Sequence, residues 1–143
     1  MLRRKQILLN PLPVSAPFSQ RDAGTSMNSS TLILLGGGIE SVPIIQRVRD
    51  MGFRAIAVDG NLSAPGQSVA NDFIHASCYH GGQIIAALRE RIAQMPDSPP
   101  DGVMCAAVDA PVACAEVAAA FGLPGLSVAA ARLGQDKLVQ KWI

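Results

Sequence analysis

Apolar and polar residues along this chain fall into two kinds of run. Short continuous apolar stretches bounded by glycine alternate with longer stretches in which apolar residues recur every third or fourth position. The first kind reads as a strand covered on both faces, the second as a helix with one buried side. Thr31–Leu35 is the first such strand. Residues 40–51 follow as a helix, with Val42, Ile45, Val48 and Met51 on one side and Arg47, Arg49 and Asp50 on the other. Pro43 suits its first turn, where the missing N–H breaks no intrahelical bond. Gly52 ends it.

The pattern then repeats. Residues 54–58 read as the second strand and "GNLSAPGQS" as a loop carrying Pro65 and Gly66. Residues 73–76 give a short third strand. Residues 81–94 give an amphipathic helix with Ile84, Ile85, Leu88 and Ile92. "MPDSPPDG" is a turn, residues 102–106 a fourth strand, residues 110–121 an alanine-rich helix and "GLPG" another turn. Ser127 suits the N-cap of a helix opening with residues 128–133. This alternation predicts an α/β fold: a Rossmann-like open parallel sheet of about four strands with helices on both faces. Ligands on such sheets bind outside the carboxyl ends of the strands. That directs attention to residues 36–41, 59–66, 77–81 and 107–111.

Residues 1–30 show neither periodicity. They carry Pro11, Pro13 and Pro17, and four basic residues against Asp22 alone. They read as a poorly ordered tail. The composition suits a transit peptide or a plain extension, "ILL" is too short for a secretory signal core, and Met27 stands as an alternative start just before the first strand. The expected organisation is a tail over 1–30, an α/β domain over 31–126, and over 127–143 a connecting helix with the opening of a further domain.

Composition narrows the function classes. With 49% hydrophobic but only 4% aromatic residues, the core is built from Ala, Val, Ile, Leu and Gly. That scarcity argues against single-stranded nucleic-acid binding, which stacks bases on aromatic rings. A net charge of +1 gives no footprint for nucleic acid or an acidic membrane. No apolar run reaches the roughly 18 residues of a membrane span. Cys78, Cys105 and Cys114 form no CxxC, so they read as reduced thiols of a cytoplasmic protein, Cys105 as core packing. His75 and His80, five apart beside Cys78, do not have metal-site spacing.

Candidate chemistry centres on Gly36-Gly37-Gly38. Glycines between a strand and a helix let backbone approach a ligand, and the helix start offers free N–H groups to an anion. Asp59 follows about 20 residues later, where dinucleotide folds place a ribose-binding acid. The glycines are consecutive rather than alternating, however, and Glu40 would set a negative charge beside a pyrophosphate. A tight strand-to-helix connection is the plainer reading. Glu40 either favours the helix start by its charge or points into the cleft toward an amine or hydroxyl. Ser41 caps or contacts ligand. Asp109 caps the alanine-rich helix or serves the cleft.

Longer stretches carry a family resemblance. "LLGGGIES", "VDGNLSAPGQSVANDFIHASCYH", "PDGVMCAAVDAPV" and "AAAFGLPGLSVAAARLGQDKLVQKWI" together resemble, in order and spacing, the region leading into the ATP-grasp fold of carbamoyl phosphate synthetases, biotin carboxylases and related carboxylate–amine ligases. The resemblance runs from Thr31 to Ile143. It implies a pre-ATP-grasp domain that binds a small-molecule acceptor substrate, with Gly37, Gly38, Glu40, Ser41, Asp59 and Asp109 as candidate contacts. It implies ATP and magnesium as cofactors of the complete enzyme, with neither bound tightly by this chain. By the same resemblance Lys137 would touch ATP phosphates, and Lys141, four residues on, would share its helix face. The adenine-binding, lid and magnesium-ligand segments of the family have no counterpart here, so the chain reads as a truncated enzyme, a half-enzyme or a fragment without ligase activity alone. An ATP-grasp domain in cis or in trans and a homodimer are the expected partners, with Val139, Trp142 and Ile143 left without cover. The rival expectations are a stand-alone Rossmann-like nucleotide-binding module and a structural domain docking on a separate ATP-grasp partner.

Overall fold

The computed structural model describes residues 30–137 and Lys141. The expected tail, apart from Ser30, and Val139, Trp142 and Ile143 lie outside the described residues. Four strands, β1 (Thr31–Leu35), β2 (Arg54–Asp59), β3 (Asp72–His75) and β4 (Pro100–Cys105), form one sheet in the order β3-β2-β1-β4. Every pair is parallel. The helices are α1 (Val42–Asp50), α2 (Gly66–Val69), α3 (Gly81–Ala93), α4 (Pro111–Phe121) and α5 (Val128–Gln135). The Rossmann-like α/β expectation is borne out.

The two sheet faces follow from strand alternation. Ile33, Leu35, Ile56 and Val58 point to one face and pack with Ile84 and Leu88 of α3 and Ala113 and Val117 of α4. Leu34, Ala55 and Ala57 point to the other and pack with Ile45 and Val48 of α1. All seven of those strand residues are fully buried, which is why their sequence shows no alternation. Helix α5 lies outside the sheet layers against α4, where Arg132 pairs with Glu116 at 3.5 Å.

Several boundaries differ from the sequence reading. The helix expected to begin at residue 40 starts with a tight 3-10 turn, Ile39–Ser41, before α1. The "APGQS" loop contains the single-turn α2, too short to display a period. Strand β4 begins two residues early, at Pro100, which an edge strand tolerates as its first residue. The register there skips Asp101, whose carboxylate takes the Thr31 N–H at 2.7 Å. Ser127 caps α5 as expected, accepting from the Ala130 N–H at 3.1 Å. Asp109 is not a cap: Ala110 occupies that position of α4 without any side-chain bond.

Candidate functional site

The order β3-β2-β1-β4 places the reversal of the sheet between β1 and β4. The chain moves outward in one direction from β1 to β3, then crosses through α3 to the far side of β1. Connections leaving β1 and β4 therefore diverge to opposite faces and open a crevice at their carboxyl ends. A cavity of about 290 Å³ lies there. Gly36, Gly38, Ile39, Glu40 and Ser41 line it from β1, Asp59 from β2, and Ala107 and Val108 from β4.

The glycine turn is held chiefly by backbone. Gly36 sits at φ +107°, a region open to glycine, and a Cβ there would run into the Ala106 carbonyl. Its N–H donates to the Val58 carbonyl at 2.8 Å. Gly66, from the "APG" stretch, donates its N–H to the Gly37 carbonyl at 2.7 Å, and an added Cβ would sit 2.7 Å from that oxygen. The two glycine-bearing motifs are therefore one interlocked structure.

Side chains complete it. Asp59 accepts the Gly37 N–H at 2.7 Å on one oxygen and the Asn61 N–H at 2.8 Å on the other. Its carboxylate thus orders both loops, and each oxygen retains a lone pair. Ser41 is buried and donates its hydroxyl to the Ala106 carbonyl at 2.5 Å, tying the start of α1 to the end of β4. Near Asp59, Cys78 donates to the Val58 carbonyl at 3.1 Å. Burial, with Asp59's charge adding to it, pushes the Cys78 thiol pKa up.

Of the six candidate acceptor contacts, the fold brings Gly38, Glu40, Ser41 and Asp59 to one cavity. Gly37 is buried just beneath, and Asp109 is exposed one residue beyond the lining. Among the described residues the Glu40 carboxylate has no hydrogen bond or ion pair, so it is the free charge of the site. Lys137 and Lys141 are exposed and do not line the cavity. Sequence reasoning pointed to residues 36–41 without singling out Ile39, an apolar side chain 73% exposed at the mouth. It pointed to residues 107–111 but not to the backbone of Ala107, a non-glycine residue at φ +56°, for which "AVDAP" gives no local signal.

No group of three or more His, Cys, Asp or Glu among the described residues could hold a metal ion. No helix among them is long and apolar enough to cross a membrane.

A parallel sheet with a glycine turn and a crevice at its switch point defines a Rossmann-like domain. Proteins similar to the chain narrow the class. No protein-family model matches it. Over 48 residues it is 42% identical to an N5-carboxyaminoimidazole ribonucleotide synthase of Staphylococcus saprophyticus, covering 34% of this chain and 13% of that protein. Its fold matches a phosphoribosylglycinamide synthetase from Anaerococcus prevotii with a TM-score of 0.65 at 20% identity, covering 80% of this chain and 28% of that one. An N5-carboxyaminoimidazole synthetase from Staphylococcus aureus, complexed with ADP, matches with a TM-score of 0.58 at 20% identity, covering 79% and 28%. These are ATP-grasp enzymes, so the resemblance read from the sequence is borne out as a shared fold. The chain spans less than a third of the length of each.

Proposed function

We propose that this chain is the acceptor-binding, N-terminal domain of an ATP-grasp ligase. The complete enzyme would activate a carboxylate with ATP as an acyl phosphate and join it to an amine or related nucleophile. The observation that carries this reading is the switch-point cavity, which presents the unpaired Glu40 carboxylate beside the glycine turn. In this role Glu40 holds a donor group of the acceptor. Gly38 and the first N–H groups of the 3-10 turn face its acceptor or anionic oxygens. Asp59 and Ser41 keep the turn in shape. ATP and magnesium belong to the ATP-grasp part of the complete, cytoplasmic enzyme, where Lys137 and Lys141 would meet the phosphates.

The names of the similar proteins guide the first probe. Phosphoribosylglycinamide and N5-carboxyaminoimidazole ribonucleotide both combine a phosphorylated ribose with a nitrogen-bearing group. An amine-bearing ribonucleotide is therefore the proposed acceptor class. Calorimetry of the chain with aminoimidazole ribonucleotide should show saturable binding that Glu40→Ala weakens tenfold or more. Magnesium–ATP should give neither tight binding nor turnover. ATP turnover by this chain alone, or ribonucleotide binding indifferent to Glu40→Ala, would overturn the reading.

One observation favours a docking role in addition. An apolar groove of about 480 Å³ runs beside the β4 edge, lined by Leu32, Pro43, Ile44, Met51, Phe53 and Met104. Such a surface suits the ATP-grasp portion or a second copy of the chain. Sedimentation of the isolated chain distinguishes a homodimer from a monomer.

A further inference from the structure

A second cavity, apolar and about 130 Å³ in volume, lies beside β4 and α4. Two of its walls are thiols. Cys105 ends β4 and Cys114 lies in the first turn of α4, so the connecting loop folds the strand end against the helix start. Both are free and half-buried. Both line the same small cavity, and burial, with the charge of Cys105 adding to it, pushes the Cys114 thiol pKa up to about 12. Cys78 is placed differently. It is buried with its S–H committed to the Val58 carbonyl.

We infer that Cys105 and Cys114 form a modification site, an adjacent dithiol that closes to an intramolecular disulfide by exchange with a low-molecular-weight disulfide. The Cys105 thiolate attacks one sulfur of the reagent disulfide. That S–S bond breaks, and the leaving thiolate takes up the proton released by Cys105. The Cys114 sulfur, giving up its proton, then attacks the Cys105 sulfur and expels the second small thiol. Two protein thiols are oxidised by two electrons, and the reagent is reduced to two thiols that carry both protons. The order follows from the surroundings. Burial keeps the Cys114 thiol protonated, which leaves Cys105 to attack first.

The bond would close a small ring around the loop that carries Ala107 and Val108, one wall of the switch-point cavity. Ala107 already holds a positive φ there, so the cross-link restrains a loop that departs from ordinary backbone. The thiol chemistry does not depend on which ligand, if any, the cavity takes.

The test is to incubate the whole chain with oxidised glutathione under native conditions, alkylate, and map the peptides by mass. Cys105 and Cys114 should be recovered joined, with the chain lighter by two hydrogens and Cys78 alkylated. The Cys114→Ser variant should stop at a stable glutathione adduct on Cys105. Amide hydrogen exchange at residues 107–109 should slow severalfold in the oxidised chain. Both thiols recovered free, a lasting adduct in the unmodified sequence, or a disulfide that includes Cys78 would overturn the site. Unchanged amide exchange in the oxidised chain would overturn the restraint on the loop.

Discussion

At the amino ends of the strands, charged side chains pair with one another; at the carboxyl ends, the side chains that fasten the loops bond to backbone groups. Asp72, opening β3, receives two bonds from Arg91 of α3, at 2.6 and 2.7 Å, with Arg54 of β2 at 3.8 Å. Asp101 takes the Thr31 N–H, and Asn71 takes the Ala55 N–H at 2.9 Å. At the opposite end Gly36, Gly66 and Ala106 donate N–H groups to the carbonyls of Val58, Gly37 and Leu35. Among the described residues Asp59 is the carboxylate committed there, and it bonds to two backbone N–H groups. The ion pairs of Asp72 with Arg54 and Arg91 lie at the amino ends instead. A charged side chain at the carboxyl end, Glu40, is left unpaired among the described residues. The close backbone packing makes the carboxyl end sensitive to changes that add so much as a methyl group.

Gly36→Ala should therefore have the largest effect on stability. It combines a disfavoured positive φ with a Cβ driven into the Ala106 carbonyl. A loss of about 3 kcal/mol is expected, read as a lower urea midpoint at unchanged slope. A loss below about 1 kcal/mol would mean that the turn relaxes freely, and the contrast between the two ends would fall.

Next come the two anchoring carboxylates. Asp59→Ala leaves the buried Gly37 amide without its partner and should cost about 2 kcal/mol. Asp72→Ala removes two charge-assisted bonds, yet Arg91 is 41% exposed and can turn to water, so about 1 kcal/mol is expected. The hydrogen bonds and charge of Asp72 also push the Arg91 pKa up. Added salt should shrink the Asp72→Ala effect and leave the Asp59→Ala effect nearly unchanged, because one is a partly exposed ion pair and the other a bond to backbone.

The sheet was legible because both its faces are covered: Ile33, Leu34 and Leu35 are all buried, and a continuous apolar run can say so. The position of the crevice was legible for the same reason, since strand ends mark it. What could not be read locally was the partner of each group. Ser41 meets Ala106 across 65 residues, which no spacing rule relates, and the 22-residue spacing of Gly37 and Asp59 suggested a ligand acid rather than the bond between them. Asp59 looked like a ligand acid because acids at strand ends often are, but it also has a backbone task. Asp109 had the sequence signature of a cap, yet the loop positions Ala110 at the helix start. Cys105 and Cys114 lacked a motif because a loop and a helix start separate them.

The amino end offers a change of opposite sign. Thr31 is fully buried and its hydroxyl has no hydrogen-bond partner. Thr31→Val keeps the shape and removes the unsatisfied group, so the urea midpoint should rise by an amount corresponding to about 1 kcal/mol. A fall instead would mean that the hydroxyl is satisfied in solution.

Glu40→Ala should have the smallest effect on folding and the sharpest effect on binding. The side chain is exposed and its carboxylate unpaired, so only the favourable charge at the helix start is lost, about 0.5 kcal/mol or less. Binding of the ribonucleotide probe should nevertheless fall tenfold or more, because no other free charge lines the cavity. Glu40→Gln separates the two roles open to that carboxylate. Retained affinity would point to a neutral hydroxyl donor, since an amide oxygen still accepts a hydrogen bond. A loss as large as with alanine would point to a charged ammonium. If either variant instead unfolded the domain, Glu40 would belong with Asp59 among the groups that hold the turn, and the carboxyl end would have no side chain reserved for a ligand.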